Sequence, residues 1–116
     1  MKRNSWGSRK WYEIHTKTFN YPVNPSDIEK QEMITYILNL YKTIGCGSCK
    51  RDTREYITKY ELQMTEICSS KENVFKFFVD FHNVINEKLH KPKLTYFQAY
   101  IIYQMDKILK NQSVLK

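Results

Sequence analysis

Ser26-Asp27-Ile28-Glu29-Lys30-Gln31-Glu32-Met33-Ile34-Thr35-Tyr36-Ile37-Leu38-Asn39-Leu40-Tyr41 reads as a helix that carries its own start signal. Ser26 or Asp27 can act as the N-cap, with Glu29 in the first turn. Behind the cap, Ile28, Met33, Ile34, Ile37, Leu38 and Tyr41 recur mostly at three- and four-residue intervals, which predicts one amphipathic helix running to about Thr43. Immediately upstream, Tyr21-Pro22-Val23-Asn24-Pro25 holds two of the chain's three prolines and predicts a loop.

The same period recurs outward from this helix. Trp11, Ile14, His15, Thr18 and Phe19 share one face of an expected first helix. Gly45 breaks the second helix, and a third is expected from around Cys46 through Arg54, Tyr56 and Ile57 to about Tyr60. Ser69 or Ser70, with Glu72 soon after, can cap a fourth that contains Val74, Phe77, Phe78, Phe81, Ile85 and Leu89, and Pro92 ends it by about Lys91. Thr95 can cap a fifth, with Tyr96, Ala99, Tyr100, Ile102, Tyr103 and Leu109 distributed along it. No segment alternates in the manner of a strand, and no internal repeat is present. The expectation is an all-α chain: a four-helix bundle with a short fifth helix, forming one domain over residues 1–116. The pattern alone leaves open which of the five helices is the shorter.

A chain of 116 residues is long enough to bury a core without staples. Aromatic residues reach 15%, with nine Tyr, six Phe and two Trp, enough for an aromatic core or for a pocket around a flat ring system. The net charge of +7 favours anionic partners. A basic helical module for nucleic acid is one reading of that charge, but the Lys and Arg residues are dispersed along the sequence instead of forming one stripe. No apolar run approaches the roughly 20 residues that span a bilayer, and Met1 to Trp6 lacks the apolar stretch of a secretory signal, so a cytosolic origin is expected. Three cysteines are too few for a disulfide-stapled scaffold.

Cys46-Gly47-Ser48-Cys49 is the strongest local motif. Two intervening residues in a turn that leads into a helix let two sulfurs approach, and the helix start together with Lys50 and Arg51 favours a thiolate. A redox pair follows, with a zinc half-site or two inert thiols as the alternatives. Zinc needs four ligands, for which Cys68, His15, His82 and His90 remain, and no second paired motif supplies them. The resulting alternative function is a zinc-stabilised interaction module. A second constellation lies at the end of the fourth helix. His82, Asn86 and then Leu89 or His90 lie on one face and could address one elongated ligand, or could simply be solvated polar positions. Trp11 and His15, one turn apart beside Gly7, could present stacked rings or belong to the core.

Taken in order, these pieces resemble one family. The series Gly7-x-x-x-Trp11-x-x-x-His15, Tyr21-Pro22, Cys46-x-x-Cys49 and Phe81-His82-Asn83-x-x-Asn86-x-Lys88-Leu89-x-Lys91-Pro92 looks like the Erv/ALR sulfhydryl oxidases, over about Trp6 to Tyr103. That resemblance implies an FAD-dependent thiol oxidase that forms disulfides in protein dithiols, with O2 as electron acceptor and H2O2 as product. It implies Cys46 and Cys49 as catalytic residues, Cys46 being the outer sulfur, and Trp11, His15 and Tyr21 lining the cofactor near Gly7. His82, Asn83, Asn86, Lys88, Leu89 and Lys91 would hold the adenine, ribose and phosphates of FAD. Tyr103 stands where many relatives carry Trp, and Ser8 follows Gly7 where relatives commonly have Arg. A disulfide brace found in some relatives corresponds here to Val79 and Tyr96, and is therefore absent. The implied partners are dithiol proteins or a small thiol carrier, O2 and a second copy of the chain, with neither nucleic acid nor membrane. The short layout is similar to members encoded by large DNA viruses, which implies the infected-cell cytoplasm or the virion, or for a cellular source the mitochondrial intermembrane space.

Overall fold

The computed structural model describes residues 8–115. Its helices, numbered in chain order, are α1 (Ser8–Phe19), α2 (Asp27–Asn39), α3 (Gly47–Lys59), α4 (Met64–Ile67), α5 (Lys71–Lys88) and α6 (Tyr96–Leu115), and no strand occurs among the described residues. The starts are chemically encoded. The Ser26 hydroxyl accepts the Glu29 N–H at 3.1 Å while the Glu29 carboxylate accepts the Ser26 N–H at 2.8 Å, a reciprocal cap that satisfies two otherwise orphaned donors. Ser70 accepts the Asn73 N–H at the head of α5. Thr95 and Gln98 exchange side-chain bonds with each other's backbone N–H groups ahead of α6. At the far end of α5 the chain turns through His90, the one non-glycine described with positive φ (58°), and Pro92 prevents any continuation.

The four helices α1, α2, α3 and α5 meet in one core. Trp11 and Ile14, Met33 and Ile37, Cys49 and Ile57, and Val74, Phe77, Phe78, Phe81 and Ile85 form a single buried cluster, closed by Leu40, Ile44, Met64 and Cys68 from the connections. All five residues expected on the α1 face are buried. On α2 the stripe is narrower than expected, because Ile28 is 72% exposed and Leu38 sits at the edge of the surface. At 100° per residue these two lie roughly 140° from Met33, outside the arc that faces the other helices.

The bundle is the expected one, and α4, a single turn after the 3-10 turn Glu61–Gln63, is a sixth helix that none of the five expected ones covers. The segment expected as the fifth helix is the longest, at 20 residues, since no Gly or Pro follows Thr95 to stop it. It attaches to α1 and α5 through a small second cluster of Phe19, Phe75, Val79 and Ala99, with Tyr103 packed against it. The two positions where a brace was expected to be missing are both used differently. Val79 is buried in this cluster, and the Tyr96 hydroxyl donates to the Asp80 carboxylate at 2.7 Å.

Candidate active site

Cys46 is the N-cap of α3. Its backbone is extended (φ −92°, ψ 132°), and its sulfur accepts the Cys49 N–H at 3.3 Å and lies 3.2 Å from the Ser48 hydroxyl. The helix therefore begins on a sulfur, at the end where orphaned N–H groups favour negative charge. Cys46 is half-buried, whereas Cys49, one turn inside, is buried in the core, and both are free thiols. The two acidities are split accordingly. Hydrogen bonds from the Cys49 thiol, the Ser48 hydroxyl and the Cys49 N–H bring Cys46 down to about 7. Burial, followed by the neighbouring Cys46, pushes Cys49 up to about 12. Below Cys49 the buried Thr53 hydroxyl donates to the Cys49 carbonyl at 2.8 Å and fixes that turn.

A wall of rings stands on α1 and α5. The Trp11 indole stacks on His82 with centroids 3.8 Å apart and planes 6° from parallel, and on His15 at 5.5 Å. Tyr103 of α6 lies 4.9 Å from His15. The two histidines share a hydrogen bond, Nε2 of His15 to Nδ1 of His82, at 2.9 Å. Burial, and then the proximity of His82, lowers His15 to about 3; burial, and then Lys91, lowers His82 to about 4. Both rings are thus neutral near pH 7, so one proton bridges the pair. His15 Nδ1 is buried and has no hydrogen-bond partner among the described residues. The wall connects to α3 through Phe81, which meets Trp11 edge-on at 5.5 Å and stacks on Tyr56 at 4.6 Å. Neither Phe81 nor Tyr56 was singled out as a site residue from sequence. The signal for Tyr56 was present, since it lies seven residues, two helical turns, beyond Cys49 on the same face.

The remaining expected cofactor residues are distributed around this wall. Asn86 is buried on α5 one turn beyond His82, and its carbonyl accepts the Lys91 N–H at 2.8 Å, which folds the Leu89-His90-Lys91 segment back toward it. Leu89 caps α5 and packs on the core. Asn83 uses its whole amide on Leu94, donating to the carbonyl at 2.7 Å and accepting the N–H at 2.8 Å, so it holds the α5–α6 connection. The Lys88 ammonium is paired with Asp52 of α3 at 3.0 Å. The Tyr21 hydroxyl donates to the Cys68 carbonyl at 2.8 Å, and the Cys68 thiol, fully buried, is pushed up to about 12 by burial. Gly7 lies outside the described residues. Among the described residues no group of three His, Cys, Asp or Glu could hold a metal ion, which leaves the zinc reading of the cysteines without a ligand set.

Comparison with known proteins gives a consistent answer. The chain is 33% identical over 99 residues to a probable FAD-linked sulfhydryl oxidase of Acanthamoeba polyphaga mimivirus, covering 85% of this chain and 68% of the relative. It is 34% identical over 92 residues to a putative FAD-linked sulfhydryl oxidase of Invertebrate iridescent virus 6, covering 77% and 83%. The crystal structure of the FAD binding domain of Erv1 from Saccharomyces cerevisiae superposes with a TM-score of 0.75 at 27% identity, covering 85% of this chain and 90% of that one. Residues 8–108 match the profile of the Erv1 / Alr family, and they include both the cysteine turn and the ring wall. The chain described here belongs to the Erv1 / Alr family.

Proposed function

We infer that the chain is an FAD-linked sulfhydryl oxidase, with Cys46 and Cys49 as its exchanging pair and molecular oxygen as the final acceptor, reduced to hydrogen peroxide. The observation that carries this reading is the split between the two sulfurs: one half-buried and acidic at a helix start, the other buried in the core and of high pKa beneath it. In the oxidised enzyme a substrate thiolate attacks the accessible Cys46 sulfur. The Cys46–Cys49 bond breaks, a mixed disulfide forms, and Cys49 leaves and takes up a proton. The second substrate thiolate then attacks the substrate sulfur of the mixed disulfide, completing the substrate disulfide and releasing Cys46. A thiol of low pKa leaves faster, so the hydrogen bonds that Cys46 accepts assist this second step. Ser48 is a positioning residue in both steps through its contact with the Cys46 sulfur.

The residues present fit FAD. The unpartnered, buried His15 Nδ1 sits in a wall of parallel rings, an arrangement suited to a flat heteroaromatic with hydrogen-bonding atoms. Trp11, His15, His82 and Tyr103 would supply the stacking surfaces, Asn86 an amide, Lys91 with Leu89 the phosphate end, and Tyr21 a further ring of the lining. Asn83 and Lys88 would act by positioning, through Leu94 and Asp52. When bound, FAD supplies the two-electron acceptor that the reduced cysteine pair needs and passes those electrons to oxygen. Neutral histidines keep the wall uncharged, and the buried rings exclude water from it.

The substrates are dithiol proteins or a small thiol carrier, and the working unit is a homodimer, a reading supported by the exposed apolar side chains of α6. The similar chains come from viruses and from yeast, so the infected-cell cytoplasm, the virion and the mitochondrial intermembrane space all suit it. Among the described residues no helix is long and apolar enough to cross a membrane. The decisive experiment is oxygen uptake with dithiothreitol by purified Cys49→Ser protein. It is expected to fall to background while the protein keeps its bound flavin through gel filtration. Uptake at the unsubstituted rate would overturn the assignment.

A further inference from the structure

The charge around the outer sulfur is one-sided. The Lys50 N–H bonds the Cys46 carbonyl at 2.8 Å, which places Lys50 one helical turn along from the cap, and Arg54 follows four residues later. Residues four apart share a helix face at about 5–6 Å, so these two form a row leading away from Cys46, with Arg51 beside it. The 3-10 turn Leu40–Thr43 brings a fourth cation to the row. The Arg54 guanidinium lies over the Tyr41 ring at 5.0 Å, and the Lys42 ammonium lies 6.0 Å from the same ring. All four cations are exposed, and among the described residues none is in a salt bridge. The acidic residues of α3 offset them only in part. Asp52 is neutralised by Lys88, and Glu55 shares a helix face with Arg51, four residues before it, but forms no salt bridge with any of the four among the described residues. Cations that are scattered in the sequence are therefore gathered by the fold beside the reactive sulfur.

This patch is not what makes Cys46 acidic, since that effect comes from hydrogen bonds within the turn. Four like charges left unpaired around an accessible nucleophile act on whatever approaches it. We propose that Lys42, Lys50, Arg51 and Arg54 form a recognition surface for acidic side chains flanking the dithiol of a protein substrate, drawing that segment onto Cys46. The proposal rests on the oxidase reading and adds the chemistry of the partner: a cysteine pair set among Asp and Glu. Attraction of this kind raises association rates at low salt and is screened as the Debye length shortens.

The test compares two synthetic peptides of equal length, each with a Cys-x-x-Cys pair, flanked by Glu in one and by Lys in the other, oxidised by the flavin-loaded enzyme. At low salt, kcat/KM is expected to be about tenfold higher for the Glu peptide, with the ratio shrinking toward one in about 0.5 M salt. The double variant Lys50→Glu, Arg54→Glu is expected to invert the ratio. Because the readout is a ratio measured on one enzyme preparation, a general loss of activity in the variant cancels. Equal values at low salt, or a ratio that the variant leaves unchanged, would overturn the proposal. So would a fluorescein-labelled single-stranded DNA whose binding the variant abolishes while the peptide ratio stays put, since the patch would then serve nucleic acid. Dithiothreitol oxidation by the unsubstituted enzyme separates the two failures: its absence would sink the oxidase reading, and its presence with no peptide preference would sink only this one.

Discussion

Helices α5 and α6 run for 18 and 20 residues, and both carry aromatic and aliphatic side chains on more than one face, yet α5 buries eight of its residues, whereas on α6 only Ala99 is buried among the described residues. The difference is one of neighbours. α5 is covered by α1, α4 and α6 and reaches α3 through Phe77 and Phe81, so all its apolar positions but Val84 find partners. α6 has one supported side near its start, through Ala99, Tyr103, the Thr95 and Gln98 cap and the Tyr96–Asp80 bond. Beyond these points Ile101, Ile102, Met105 and Ile108 are exposed. Apolar composition thus marks what a helix can cover, and the arrangement of the other helices decides what it does cover.

Three measurements would break or sharpen this contrast. The largest effect is expected from Phe81→Ala, which removes the ring joining Trp11 to Tyr56 and leaves a cavity in the core; chemical denaturation should show a loss of about 3–5 kcal/mol. A loss no greater than that of a surface substitution would mean that α5 is not the central element. Next is acid. His15 and His82 both titrate well below the unfolded value of about 6.5, so between those values the unfolded chain holds more protons and stability falls as the pH drops. Stability should be full above about pH 6.5 and decline toward pH 4 by roughly 2–3 kcal/mol, a slope that His82→Gln should reduce. A flat melting temperature across that window would remove the neutral histidine pair from the account. The smallest concerns the joint between the two helices. Asn83→Ala leaves the Leu94 N–H and carbonyl without their partner and should cost about 1–3 kcal/mol, whereas Ile101→Ser on exposed α6 should change stability by less than about 0.5 kcal/mol. If the Ile101 variant is the more damaging, the α6 surface is covered in solution.

The sequence carried the helix starts well, because a cap is a local device: Ser26 with Glu29, Ser70 and Thr95 each declared a boundary with residues only three apart. The start of α3 around Cys46 was legible too, but not that the Cys46 sulfur caps it. The stacking of Trp11 on His82 was not legible, since it depends on α1 lying along α5 with the two rings 71 positions apart, and periodicity gives only the face each presents. Lys88 reads as a phosphate ligand in its motif, and it is the approach of α3 that turns it toward Asp52. Lys50 and Arg51 read only as charges that favour a thiolate, and Lys42 and Arg54 were not joined to them, for a similar reason. Their common neighbourhood exists only once Tyr41 is brought under Arg54. The single turn α4 was missed because four residues are too few for a helical period to show.

The Tyr96–Asp80 bond, made from one of the two positions expected to lack a disulfide brace, ties α6 to α5 without sulfur. Apart from Cys46 and Cys49 the chain owns a single cysteine, sealed in the interior, so nothing that holds the architecture together can be cut by reductants or reshuffled by passing thiols. Such a catalyst can cycle between oxidation states, or sit in a strongly reducing milieu, without its scaffold taking part.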